Sequence, residues 1–225
     1  MVTLSCADLS TREVNNALRA LPDGEKVILT DPRGRHNLAV GLTNRLDVTI
    51  EGNAGYFIGG LSDGPDITIE GFVGWSVGEN LMSGTVRVRG SASQSAGSSA
   101  HGGMIVVEGD ASLRAGISLK GGTVAIAGDV GPMCAFMAQA GTVLIGGNAG
   151  DGLGDSLYEA VIYVAGEVGA LGADAQIEEL TEDDVATVQR VISIAGFDHI
   201  TAGDVTRVAS ARTLYHFDTA NSSAY

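Results

Sequence analysis

The sequence predicts an all-β protein, a right-handed parallel β-helix of about seven 19-residue coils with short helical caps at both ends. Three observations predict it. A glycine recurs at Gly52, Gly71, Gly90, Gly109, Gly128, Gly147 and Gly166, always 19 residues apart and without insertion. Four and two residues before it stand only Val or Ile, from Val48 and Ile50 in the first unit to Ile162 and Val164 in the last. Two residues after it stands only Ala or Val, from Ala54 to Val168. A period of two in β-branched residues marks a strand with one buried face. A column restricted to small side chains marks a narrow interior.

The rest of the unit is built from further glycines. Three residues after the repeat glycine stand Gly55, Gly74, Gly131, Gly150 and Gly169, with Ser93 and Ser112 in the other two units. Seven after it stand Gly59, Gly78, Gly97, Gly116 and Gly154, with Ala135 and Ala173 as the departures. The unit reads strand-G-x-x-G-x-x-x-G, and fixed glycines permit sharp corners or close backbone approach. A propeller blade needs about 40 residues, so the period is too short for one. It suits one solenoid turn with about three short sides. Coils stacked about 4.8 Å apart make a rod of about 30 Å from seven units. Right-handed coiling follows from the handedness of parallel crossovers. A single coil cannot bury its own columns, but stacked neighbours can.

Composition agrees. The chain has 225 residues, 44% of them hydrophobic but only 5% aromatic, so the core must be aliphatic. Glycine is abundant at 33 residues and proline scarce at four, with no Gly-X-Y period, which argues against collagen. The net charge of −14 argues against a broad nucleic-acid surface and an anionic membrane. The two cysteines, Cys6 and Cys134, are far apart and form no CxxC. The N-terminal MVTLSCADLSTREV contains no long apolar run. A cytoplasmic protein with reduced thiols, no signal peptide and no membrane span is therefore expected.

The ends differ from the repeat. Residues 1–33 are expected to form an N-terminal helix and strand cap, 34–173 the β-helix, and 174–225 a C-terminal helix and extended tail packing on the solenoid or on a partner. Ser10–Glu13 reads as a capping box, with Val14, Ala17, Leu18 and Leu21 at helical spacing, which predicts a helix over 11–20. KVILTDPRG reads as a strand, and GRHNLAVGL as an imperfect leading coil, whose Gly34 and Gly41 keep the seven-residue gap although Gly34 stands eighteen residues before Gly52. In EELTEDD, Thr181 caps a helix and Glu182, Asp183 and Asp184 occupy its first turn, while EF-hand ligand spacing is missing. Val185, Val188, Val191 and Ile192 give that helix an apolar stripe. A further short helix is expected over 201–210, then ARTLYHF as an extended strip. The outward column Thr49, Thr68, Arg87, Val106, Ala125, Leu144, Tyr163 turns from polar to apolar along the rod. Something should cover its later members, either the C-terminal segment or a partner chain.

No residue is assigned to catalysis, cofactor or metal. His36, His101, His199 and His216 each stand alone, and no HExxH, nucleophile motif or phosphate loop is present. Cys134 shares a column with Ile58, Val77, Ala96, Ala115 and Leu153, which reads as a buried small residue. Tyr56 and Trp75 are neighbouring rungs of the column four after the glycine. They suit an aromatic anchor for a partner. Packing beneath the N-terminal cap is the alternative.

The repeated G-x-x-G-x-x-x-G between Val/Ile strands, over about residues 34–173, resembles the GXGXG β-helix domain that ends the glutamate synthase large subunit. HNLAVGL and SARTLYHF extend the likeness at each end. The same domain type occurs in the third subunit of formylmethanofuran dehydrogenase and its formyltransferase/hydrolase relatives. As a chain of its own, this one is most similar to the β-helix subunit of split glutamate synthases of the N-methylglutamate synthase kind. That resemblance implies a scaffold in a hetero-oligomer, with no catalytic residue of its own. Its partners would be a glutamine amidotransferase-like subunit and an FMN-binding, glutamate synthase-like subunit carrying an iron–sulfur cluster. The implied reaction of the complex converts methylamine and glutamate to N-methylglutamate and ammonia. A subunit of a formylmethanofuran-type complex and an independent solenoid enzyme are the alternatives.

Overall fold

The computed structural model describes residues 1–213. The chain opens with strand β1 (Val2–Ser5), helix α1 (Thr11–Arg19) and strand β2 (Lys26–Thr30). One strand per coil follows: β3 (Asp47–Ile50), β4 (Asp63–Ile69), β5 (Ser83–Val88), β6 (Met104–Val107), β7 (Lys120–Ile126), β8 (Ala140–Ile145) and β9 (Val161–Val164). The chain then forms β10 (Ala175–Glu178), α2 (Glu182–Ala195) and β11 (Thr206–Ser210). Strands β1 to β9 lie side by side in sequence order, all parallel, and β11 and then β10 close the sheet antiparallel. This is a parallel β-solenoid of about seven turns.

Stacking is in register with the 19-residue period. Val48 lies beside Ile67, Ile67 beside Val86, and so on to Val143 beside Ile162. A second ladder of single-residue bridges runs Ala54–Val73–Ala92–Ala111–Val130–Ala149–Val168. The Val/Ile columns are fully buried, as is the column from Ile58 to Leu153. A further buried column alternates Leu81, Ala100, Leu119, Ala138 and Leu157, so that large and small side chains interleave from coil to coil. Each buried Val, Ile or Leu contributes about 1.5–3 kcal/mol, which only the stack makes available.

The corner of each coil is tighter than the glycines indicate. Gly78 has φ +67°, but Ser76 and Asn80 on either side are also left-handed, at +60° and +54°. The triplet recurs in the next coil at Ser95, Gly97 and Ser99. Hydrogen bonds between coils hold it. In the first of these coils, Ser76 N–H donates to Gln94 O, Gly78 N–H to Ile58 O and Asn80 N–H to Ser98 O, all at 2.9 Å. Ala135 fills the glycine place of its coil at φ +56°.

A second set of ties uses side chains. One residue after the repeat glycine, Asn53 accepts from Phe72 N–H, Asp110 from Asp129 N–H, Asp129 from Asn148 N–H and Asn148 from Glu167 N–H, at 2.6 to 3.1 Å.

The leading coil departs from the expected alignment. Gly34 donates to Asn53 O and Gly41 to Gly60 O, while Gly59 donates to Leu38 O. Ala39, at φ +54°, therefore stands where later coils carry Gly59 or Gly78. The Gly34–Gly41 gap of seven is not the repeat's glycine pair.

Helix α1 has the capping box, with Ser10 and Glu13 satisfying each other's backbone N–H groups. Val14 and Leu18 enter the core, and Asn15 Nδ2 donates to Asn37 O at 2.7 Å. Helix α2 starts on a capping box of Thr181 and Asp184 and ends at Gly196, φ +79°. Its Val188, Val191, Ile192 and Ala195 cover Val106, Ala125, Leu144 and Tyr163 of the solenoid, with Phe197 and Ile200 beside them. The apolar half of the outward column is thus covered by the chain itself.

The helix expected over 201–210 is not formed. Asp204 N–H closes a turn onto Thr201 O, and Thr206–Ser210 pairs antiparallel with β9 on one side and β10 on the other. The open edge of β9 supplies hydrogen bonds that outweigh local helical preference. Most of the ARTLYHF strip lies outside the described residues.

Candidate functional site

Two faces of the solenoid carry more than packing. The first is the face under α2, which is fastened at both ends. At the C-terminal end, Arg87 donates to Ala195 O at 2.8 Å and Ile194 O at 3.1 Å, and pairs with Glu108 at 2.9 Å. A cation on the last carbonyls of a helix is well placed against its dipole. At the N-terminal end, buried Asp184 accepts from Tyr163 Oη, from Thr181 Oγ1 at 2.6 Å and from Arg207 Nε at 3.1 Å. Arg207 also pairs with Glu178. Burial pushes the Asp184 carboxyl up, but hydrogen bonds from Thr181, Tyr163 and Arg207 outweigh it and hold it well below the usual carboxylate range. Burial, and then the Asp184 carboxylate, raise the Tyr163 phenol above its ordinary value. Thr181, Tyr163, Asp184, Arg207 and Glu178 are thus joined to one another and clasp the start of α2 to the solenoid.

The second face is open. It follows the single-residue bridge ladder, and its aromatic end is a stack of three rings. His36 lies over Tyr56 with centroids 4.2 Å apart and planes at 21°, and Tyr56 over Trp75 at 5.0 Å and 13°. Tyr56 N–H donates to His36 Nδ1 at 2.9 Å, which places the ring proton of His36 on Nε2. Glycine makes room for the stack. A Cβ on Gly55 would stand 2.0 Å from His36 Nδ1, and one on Gly74 2.5 Å from Tyr56 Cδ1. Tyr56 is 45% exposed, Trp75 47% and Phe72, three residues before Trp75, 57%. The rings are not buried beneath the N-terminal cap. Two clefts of about 590 Å³ flank the loop of Asp31–Gly34; one is bordered by His36 and Thr11, the other by Asn53 and Phe72.

The remaining candidates do not converge. Cys134 is wholly buried and its thiol is pushed up to about 12 by burial, the opposite of a reactive thiolate. Cys6 is likewise buried and shifted up. His101 is exposed, His199 Nε2 lies 3.1 Å from Ala127 O, and His216 falls outside the described residues. Thr181 and Asp184 of the EELTEDD stretch serve the helix cap. Among the described residues, no group of three or more His, Cys, Asp or Glu is arranged to hold a metal ion, and no helix is long and apolar enough to cross a membrane. The sequence indicated Tyr56 and Trp75. It did not indicate His36 as the third ring, because the leading coil is offset, nor Arg87 as the anchor of α2.

Fold and faces together define a parallel β-solenoid with one face strapped by its own helix and another left open. No family model matches the chain. It is similar to Protein GlxC of Rhizobium meliloti (strain 1021), 38% identical over 73 residues. That match covers 32% of this chain and 32% of the relative.

Proposed function

We propose that this chain is a non-catalytic scaffold subunit of a glutamate synthase-like complex, of the N-methylglutamate synthase kind. It would hold a glutamine amidotransferase-like subunit and an FMN- and iron–sulfur-binding subunit in fixed relation. The observation that carries this reading is how the polar and aromatic side chains are used. Tyr163, Asp184 and Arg207 clasp a helix, Asp110, Asp129 and Asn148 tie coil to coil, and His36, Tyr56 and Trp75 stack on an open face, uses that suit a spacer. The GXGXG-like repeat and the partial likeness to Protein GlxC are consistent with it, and the latter brings no activity with it.

Co-expression with the two candidate subunits tests the proposal. The expected result is a stable three-component complex that makes N-methylglutamate and ammonia from methylamine and glutamate, with turnover lost when this chain is omitted. Turnover by the purified chain alone, or co-purification with subunits of a formylmethanofuran-type enzyme, overturns it.

A further inference from the structure

The open face has a chemistry of its own. Its seven rungs are the four residues after each repeat glycine, from Asn53–Tyr56 to Glu167–Ala170, and they contain no Lys or Arg. Beyond the aromatic stack the rungs carry exposed Asp110, Asp129, Asp151 and Glu167. Asp110 and Asp129 occupy one column on adjacent coils, about 4.8 Å apart along the stack. Asp129 N–H donates to Asp110 Oδ1 at 2.9 Å, which fixes that side chain against the ladder. Like charges stacked on neighbouring strands repel; the cations of this face, Arg33 and Arg35 of the leading rung, stand beside His36 at the aromatic end, where Arg33 pairs with Asp31 and Arg35 donates to Leu9 O. Next to the seven rungs in sequence, Arg89 is paired with Glu108 and Arg114 stands at the corner beyond Leu113. The strand face is covered by α2, whereas this one leaves Tyr56, Phe72 and Trp75 about half exposed.

We infer that this face is a docking surface for a basic, extended segment of a protein partner, with arginine or lysine along the acidic rungs and its end anchored on the aromatic stack. Charge complementarity selects the occupant. A cation finds carboxylates on four of the rungs, and a guanidinium also packs well against exposed Tyr and Trp rings. A nucleic acid or anionic membrane meets like charge along the acidic rungs. The scaffold reading supplies the identity of the partner, and the chemistry of the face stands without it.

Trp75 is the only tryptophan, so its emission reports this face alone. The probe is a decapeptide of alternating Arg and Gly, with a Glu/Gly decapeptide as control, titrated into the full chain. The expected result is saturable quenching by the Arg peptide only, weakened about tenfold between low and physiological salt. The variant Asp110→Asn/Asp129→Asn/Asp151→Asn should weaken it about tenfold. It should keep the fold, because Asn148 already makes the same ladder bond. Glu182→Gln/Asp183→Asn, on α2, should leave binding unchanged. Equal binding by the triple variant, binding seen by calorimetry without a Trp75 response, or no binding overturns the inference. So does concentration-dependent self-association abolished by Tyr56→Ala, which would make the occupant a second copy. Assembly with the two candidate subunits is a separate measurement, so failure of the scaffold reading and failure of this face are distinguishable.

Discussion

At the scale of residues, the coil depends on backbone conformations that side chains must tolerate. Gly78 combines φ +67° with a Cβ position 2.8 Å from Ile105 Cγ1. Gly78→Ala should therefore cost about 1–3 kcal/mol, read as a lower midpoint in thermal unfolding. Gly24→Ala, at φ +81° with open space around it, isolates the backbone part and should cost less. Cys134 and Cys6 should resist alkylation at about pH 8 until the chain is unfolded, since both are buried and both thiols are shifted up. Rapid labelling of either cysteine in the native protein would contradict that. The Val/Ile columns were legible in the sequence because burial restricts residue type. The left-handed Ser76 and Asn80 were not, since hydrogen bonds between coils hold them and leave no mark on composition. The ladder through Asp110, Asp129 and Asn148 was hidden for a related reason. Its bonds end on backbone N–H groups, so the partner residue can be anything, and Phe72 interrupts it.

At the scale of elements, α2 was legible from Thr181, its acidic first turn and its apolar stripe. The strand β11 was not, because its form is set by the open edge of β9, a feature of the assembled fold. The Asp184 clasp ties α2 to acid stability. Its carboxyl titrates below the usual range when folded, so its contribution is complete above about pH 4, the unfolded value. It is lost as pH falls towards the folded value. Asp184→Asn should cost about 3–5 kcal/mol near pH 7, because it breaks a buried charge pair. The gap between the two proteins in urea unfolding should narrow near pH 2.5. The same gap at both pH values would show that the charge of Asp184 is not what matters. Tyr163 acts in the opposite range. Its phenol is raised, so its contribution is complete below about pH 10 and fades as pH rises beyond that.

At the scale of the whole molecule, the rod is periodic but its strap is not. Arg87 and Tyr163, the two anchors of α2, sit four coils apart in the same column, a span of about 19 Å at the coil spacing. The 14 residues of α2 are about 21 Å long. The helix is therefore a gauge that counts coils. Deleting residues 110–128 removes one full period from within its span and rejoins every column in register, yet leaves the helix about one turn too long. That deletion should destabilise the chain more than deletion of residues 53–71, which lies outside the span. Removing three residues from the middle of α2 should recover part of the loss in thermal unfolding. Without such a gauge, coils could be gained or lost at little cost to the fold. With it, the stretch of rod from Arg87 to Tyr163 is inherited as a single fixed quantity, and whatever binds at one end of that stretch meets the other at a set distance.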